Sequence, residues 1–232
     1  MKNILEIGCG QGFSAYCLSR NNRVVGIDLS EKNIKTAKSR YPEIDFQVMS
    51  ADQMNFKNGS FDEVYAMDVL EHVDDLVSVL NEIRRVLRKN GKFVINVPAE
   101  KSEEWLLRLR PTYFEEIHHV RIFRANKLEE MLSNQGFALI TKNKVGFLQH
   151  IELYFLFKRK SGYRGQLGIG HWRDDVFSQI LHAAMIMFDP IVLKTPLKYF
   201  PLYLITLPIG FLVNLFGNQF FPKSLYYEFK KI

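Results

Sequence analysis

Short apolar runs of β-forming residues alternate with helix-period segments through the first hundred positions. That alternation predicts a parallel sheet with helices on its faces. Residues 4–7 read as a first strand and 13–20 as a helix. A second strand follows at 23–27. Ser30 is placed to cap a helix over 31–40, because its hydroxyl can accept from a first-turn N–H. Residues 45–49 and 63–67 are further strands. Asp74 or Asp75 then caps a helix whose apolar positions, Leu76, Leu80, Ile83 and Leu87, repeat with helical spacing. Asn90-Gly91 is read as its stop, since both residues tolerate positive φ, and 92–97 is a fifth strand. The fold class is α/β and doubly wound.

After Pro98 the pattern loosens. Residues 102–110 and 125–135 read as helices, Gly136 as a turn, and 137–145 as a strand. The last strand is placed at 224–231. What lies between those two strands differs in character, and we expect a core of residues 1–146 and 223–232 interrupted by a helical insertion at 147–222. Within it, 199–222 is 24 residues without an acidic or basic side chain. A run of that length satisfies the usual criterion for a membrane span. Pro201, Pro208, Gly210 and Gly217 break it, however, and Asn214, Asn218 and Gln219 add polarity. Lysines flank both ends, Lys194 and Lys198 before it and Lys223 and Lys230 after it, so there is no strong positive-inside asymmetry. The expectation is broken helices that lie on a membrane surface or roof an apolar pocket.

Charge adds to that picture. The formal net charge is +6, and residues 158–173 hold five Lys or Arg and no acid. Directly before an uncharged stretch, such a segment suits anionic lipid. Nucleic acid is a less favoured partner, because no Asn/Asp-Pro-Pro-Tyr motif and no aromatic-interleaved basic run occurs. The two cysteines, Cys9 and Cys17, make no disulfide framework and suit a reducing, cytoplasmic setting. No secretory signal pattern precedes the first strand.

The chemistry-bearing residues cluster early. Glu6-Ile7-Gly8-Cys9-Gly10-Gln11-Gly12 lies between the first strand and the first helix. Its glycines let the backbone turn tightly and approach a ligand, and the helix start offers N–H groups to an electronegative one. Asp28 follows Gly8 by twenty residues and ends the second strand, with Leu29 beside it. A carboxylate there suits a ribose diol. Nicotinamide dinucleotides favour G-x-G-x-x-G, whereas this loop runs G-x-G-x-G. Glu6 can bond the loop amides or a cofactor amine, and a buried carboxylate needs such donors.

With Ala51-Asp52, Phe61-Asp62, Leu70-Glu71-His72-Val73 and Leu87-x-x-x-Gly91, this series resembles the class I S-adenosylmethionine-dependent methyltransferases. The resemblance covers roughly residues 3–98. It implies a Rossmann-like seven-stranded sheet of order 3-2-1-4-5-7-6 with an antiparallel last strand, and S-adenosyl-L-methionine as cofactor. It further implies that Asp52, with Ala51 and Gln53, meets the adenine amine, and that Met67, Asp68 and Val69 line the methionine end. Cys9 would lie within the cradle.

Asp68, Glu71 and His72 have i, i+3, i+4 spacing and could share a helical face, which would suit a divalent cation or a general base. The segment is also similar to one in ubiquinone-biosynthesis O-methyltransferases, where two acids and a histidine are linked to metal-assisted methylation. The bland alternative is a helix entry, and no resident metal is expected. His118-His119 and Tyr113 fall where relatives form the acceptor side, with His119 the second candidate base. The function expected is methyl transfer to an apolar or membrane-associated small molecule: a lipid, a quinone-like compound or a lipid-linked sugar. A soluble O- or C-methyltransferase using the insertion as a lid, and a non-catalytic cofactor-binding module, are the alternatives.

Overall fold

A computed structural model describes residues 1–145 and 216–232. The greater part of the insertion, including 158–173 and most of 199–222, lies outside the described residues. The chain forms two compact units. One comprises Met1–Val97, Val120–Asn143 and Tyr226–Ile232; the other comprises Pro98–His119 and Lys144–Leu225.

The sheet has seven strands: β1 (Asn3–Ile7), β2 (Arg23–Asp28), β3 (Asp45–Val48), β4 (Phe61–Met67), β5 (Leu87–Pro98), β6 (Phe137–Val145) and β7 (Ser224–Lys231). Their order is β3-β2-β1-β4-β5-β7-β6. The pairs β1–β2, β1–β4, β2–β3 and β4–β5 are parallel. The order reverses direction at β1, so the carboxyl ends of β1, β2 and β4 open on one crevice, the usual ligand position in such sheets.

Helices α1 (Phe13–Leu18), α2 (Glu31–Arg40), α3 (Leu76–Val86), α4 (Glu100–Leu109), α5 (Tyr113–Ile117) and α6 (Ala125–Asn134) connect the strands. Side chains from α1 and α2 close one core with strand residues: Ala15, Ile34 and Ala37 meet Ile4, Val24 and Phe46. Tyr16 stacks on Tyr41 at its edge, ring centroids 4.7 Å apart. Ser30 caps α2 by accepting from the Asn33 N–H, and Asp75 caps α3 by accepting from Ser78. Helix α3 buries Leu76, Val79, Leu80, Ile83 and Val86, each worth roughly 1.5–3 kcal/mol of transfer free energy for the larger side chains.

Two expectations are corrected. Helix α3 stops at Val86, and Leu87 already begins β5, paired with Phe61. The apolar stripe runs on to Leu87 only because that residue is buried as a strand residue. Asn90 does adopt positive φ, at 63°, but it serves an excursion inside β5. There the register jumps from Phe61↔Leu87 to Glu63↔Lys92. Lys231 caps the end of α3 instead, its Nζ donating to the carbonyls of Arg84 and Leu87. The short helix α5 has no periodic signal in the sequence and is an addition to the expected elements. Among the described residues, no helix is long and apolar enough to cross a membrane.

Candidate functional site

The loop after β1 turns three times through positive φ, at Gly8 (66°), Gly10 (52°) and Gly12 (85°). Its three glycines are needed for different reasons. A Cβ on Gly8 would lie 2.3 Å from Val69 Cγ2, and one on Gly12 would lie 2.6 Å from Phe46 Cζ. These two permit packing. A Cβ on Gly10 would meet nothing within 4 Å, so Gly10 borders open space. The loop is closed by the Gly12 N–H donating to Cys9 O, and tied to the sheet by the Cys9 N–H donating to Ile27 O.

Asp28 holds this loop in place. Its Oδ2 accepts from the Gly10 N–H at 2.9 Å, and its Oδ1 accepts from the Ser30 N–H at 2.8 Å. Asn33 Nδ2 reaches the same Oδ1 at 3.4 Å. A carboxylate offers about four acceptor sites, so capacity remains for a further donor. Glu6, on β1 just before the loop, is 2% exposed. Burial pushes its carboxyl up to about 7, against the opposing pull of the Ser14 hydroxyl and the Ala15 N–H, and the nearby Asp28 charge adds to the rise. Its Oε2 has no hydrogen-bond partner among the described residues. Burial and the same two carboxylates keep the Cys9 thiol protonated.

Ala51, Asp52 and Gln53 lie in the turn after β3, with Asp52 and Gln53 exposed. That turn is anchored from α3, where Glu82 accepts from the Met54 N–H at 2.7 Å and Arg85 donates to Met54 O at 2.7 Å. Leu29 is 73% exposed beside Asp28. Sequence reasoning passes over Glu82 and Arg85, and only their three-residue spacing hints at a pair.

At the end of β4, Met67 is half-buried and the chain turns sharply. Asp68 has φ 55°, and a single 3-10 turn, Leu70–His72, follows. The helical face expected to gather Asp68, Glu71 and His72 is therefore not formed. Asp68 turns instead to Asn96, whose Nδ2 donates to its Oδ1 at 2.7 Å. Glu71 is buried and His72 is exposed. The Val120 N–H donates to Glu71 O, and Arg121 donates to the carbonyls of Val73 and Asp74, which latches this segment.

The second unit holds its own polar group. Glu103, 2% exposed, lies 2.7 Å from His119 Nδ1 and accepts from the Tyr113 hydroxyl at 3.2 Å. His118 caps α5 in the left-handed region, φ 59°. The sequence points to His118, His119 and Tyr113 but not to the carboxylate that joins two of them.

The site can take a ligand with a cationic and a hydroxylated part. Among the described residues Glu6 keeps a buried carboxylate oxygen without a partner, Gly10 in the loop that follows borders open space, and Asp28 retains acceptor capacity. This sheet order and this loop are those that the resemblance to the class I S-adenosylmethionine-dependent methyltransferases implies, a family whose cofactor is S-adenosyl-L-methionine. Residues 5–95 match the family model described as the methyltransferase domain.

A probable S-adenosylmethionine-dependent methyltransferase of Mycolicibacterium smegmatis is 29% identical over 139 residues, 59% of this chain and 52% of that protein. A ubiquinone biosynthesis O-methyltransferase of Pelagibacter ubique is 39% identical over 98 residues, 39% of this chain and 40% of that protein. The solved structure of a methyltransferase-like protein from Bacillus halodurans, 17% identical, superposes with TM-score 0.60 over 99% of this chain and 92% of that one. The chain spans about half the length of the first curated relatives it matches.

Proposed function

We propose that this protein transfers a methyl group from S-adenosylmethionine to an apolar small-molecule acceptor bearing a hydroxyl group. The single observation that carries the cofactor half is the buried Glu6 oxygen without a partner among the described residues, at the end of β1 from which the glycine loop departs. Glu6 would neutralise the ammonium of the methionine part. Asp28 would accept from the ribose hydroxyls, with Leu29 against the base. Asp52 and Gln53, flanked by Ala51, would meet the adenine amine, and Met67, Asp68 and Val69 would border the methionine end. When bound, the cofactor supplies an electrophilic methyl group on a sulfonium. The chain contributes alignment for in-line displacement and a place for the acceptor proton. His72 and His119 are the candidate bases, and Asp68, Glu71 and His72 the candidate ligands should a metal assist.

The acceptor half rests on the apolar 199–222 stretch and on relatives named as ubiquinone biosynthesis O-methyltransferases. The basic 158–173 segment favours delivery of that acceptor at an anionic membrane surface. Calorimetry with S-adenosylhomocysteine tests the cofactor half, and absence of binding at high micromolar concentration sinks it. Flotation of the full chain with anionic and neutral vesicles tests the membrane part. Equal recovery from both would leave a soluble enzyme whose insertion roofs the pocket.

A further inference from the structure

We propose that Asn96 is a positioning residue that aims the Asp68 carboxylate at the cationic amino-acid end of the cofactor. This rests on the cofactor reading above and adds to it a residue that neither the motif series nor the sequence pattern singled out. Asn96 lies on β5 as the register partner of Met67, the last residue of β4. It is 9% exposed and grips the next residue twice: the Asp68 N–H donates to Asn96 O at 3.0 Å, and Asn96 Nδ2 donates to Asp68 Oδ1 at 2.7 Å.

That grip holds Asp68 at φ 55°, in the left-handed region that glycine enters most freely and that aspartate is among the few other residues to adopt. A glycine would satisfy the backbone. A side-chain-bearing residue kept there by a dedicated partner is the pattern of a working group rather than of a turn. The carboxylate is exposed, and its Oδ2 accepts no hydrogen bond among the described residues. The residue that follows, Val69, packs on Gly8 so closely that a Cβ there would stand 2.3 Å from it. One turn therefore carries both the carboxylate and the residue that meets the glycine loop. Fixing its first residue through Asn96 fixes where the carboxylate stands relative to the cradle.

The test compares two ligands by calorimetry: S-adenosylhomocysteine, which has the amino-acid end, and 5′-methylthioadenosine, which lacks it. Asn96→Ala is expected to weaken S-adenosylhomocysteine about tenfold, equivalent to about 1.4 kcal/mol, and to leave 5′-methylthioadenosine unchanged. Asn96→Asp is expected to be as weak at pH 8 and to recover as pH falls, because a protonated carboxyl can again donate to Asp68. Asp68→Gly keeps the backbone shape and loses the carboxylate, so it should match Asn96→Ala. It and Asn96→Asp carry the test if the alanine variant does not fold. Equal weakening of both ligands in the Asn96 variants, or unimpaired S-adenosylhomocysteine binding in Asp68→Gly, would overturn the proposal while leaving the cofactor reading standing. A wild-type chain that binds neither ligand would take both down.

Discussion

Glu6→Gln is expected to make the ligand-free protein more stable at alkaline pH and worse at holding cofactor. The Glu6 carboxyl is raised from 4.5 to about 7, chiefly by burial. A tenfold change in acidity corresponds to about 1.4 kcal/mol between the charged and neutral forms, so the fold disfavours the charged form by about 3 kcal/mol. For an acid whose folded value is raised, this cost is absent below the unfolded value of 4.5. It grows as pH rises from 4.5 to about 7 and stays constant above that. Glutamine keeps the shape and never ionises. The stability difference between variant and wild type should therefore favour the variant by about 3 kcal/mol more at pH 8 than at pH 4.5. Because other titrating groups are common to both proteins, they cancel in the difference. Denaturant titrations at half-unit pH intervals measure it directly. A cationic ligand amine should draw the carboxyl back to its charged form. S-adenosylhomocysteine binding near pH 6.5 should then release protons, read by calorimetry in buffers of different ionisation enthalpy, and the variant should release fewer. A difference that stays flat with pH refutes the account, since Glu6 would then not be the buried neutral acid described.

The glycine loop gives a paired prediction. Gly8→Ala meets Val69 at 2.3 Å and should lower the melting temperature and abolish cofactor binding. Gly10→Ala faces open space, so it should cost only about 1–2 kcal/mol of backbone strain while losing affinity heavily, as thermal shift with and without S-adenosylhomocysteine will show. In the second unit, Glu103→Ala leaves His119 and Tyr113 without their shared acceptor. It should destabilise by about 1–3 kcal/mol, the cost of leaving buried polar groups without their partner, and a double-mutant cycle with His119→Ala should show coupling above about 0.5 kcal/mol. Asp28→Asn turns one acceptor oxygen into a donor, so either the Gly10 or the Ser30 N–H loses its partner. Faster amide exchange at whichever position is released, even without ligand, is the expected result.

What is legible in the sequence is what is decided locally. Ser30 and Asp75 cap helices through bonds that reach only three residues, and the glycine loop announces itself because glycine is required where φ is positive. The α3 boundary is misread for the opposite reason. Leu87 continues the helical spacing, yet its place is decided by pairing with Phe61, a partner 26 residues away. Asp68 fails in the same way. Its spacing to Glu71 and His72 fits a helix, but its conformation is set by Asn96, 28 positions on. Nothing near Glu103 marks it as the partner of His119, 16 residues later.

The same division explains how the site works. The residues legible from spacing, Gly8, Gly10, Gly12 and Asp28, form a scaffold that is complete before any ligand arrives, because Asp28 already bonds Gly10 and Ser30. Asp28 is thus a loop tie, and its proposed second task as a ligand acceptor depends on lone pairs that the first leaves over. Glu6 is different. It has a buried oxygen without a partner among the described residues, and an unsatisfied buried group costs the free protein stability. That cost is recovered only when a donor enters the crevice. On the proposed reading, a fold that leaves Glu6 unsatisfied while Asp28 ties Gly10 and Ser30 separates shape from affinity: the loop is tied without a ligand, and Glu6 would supply the preference for a cationic guest.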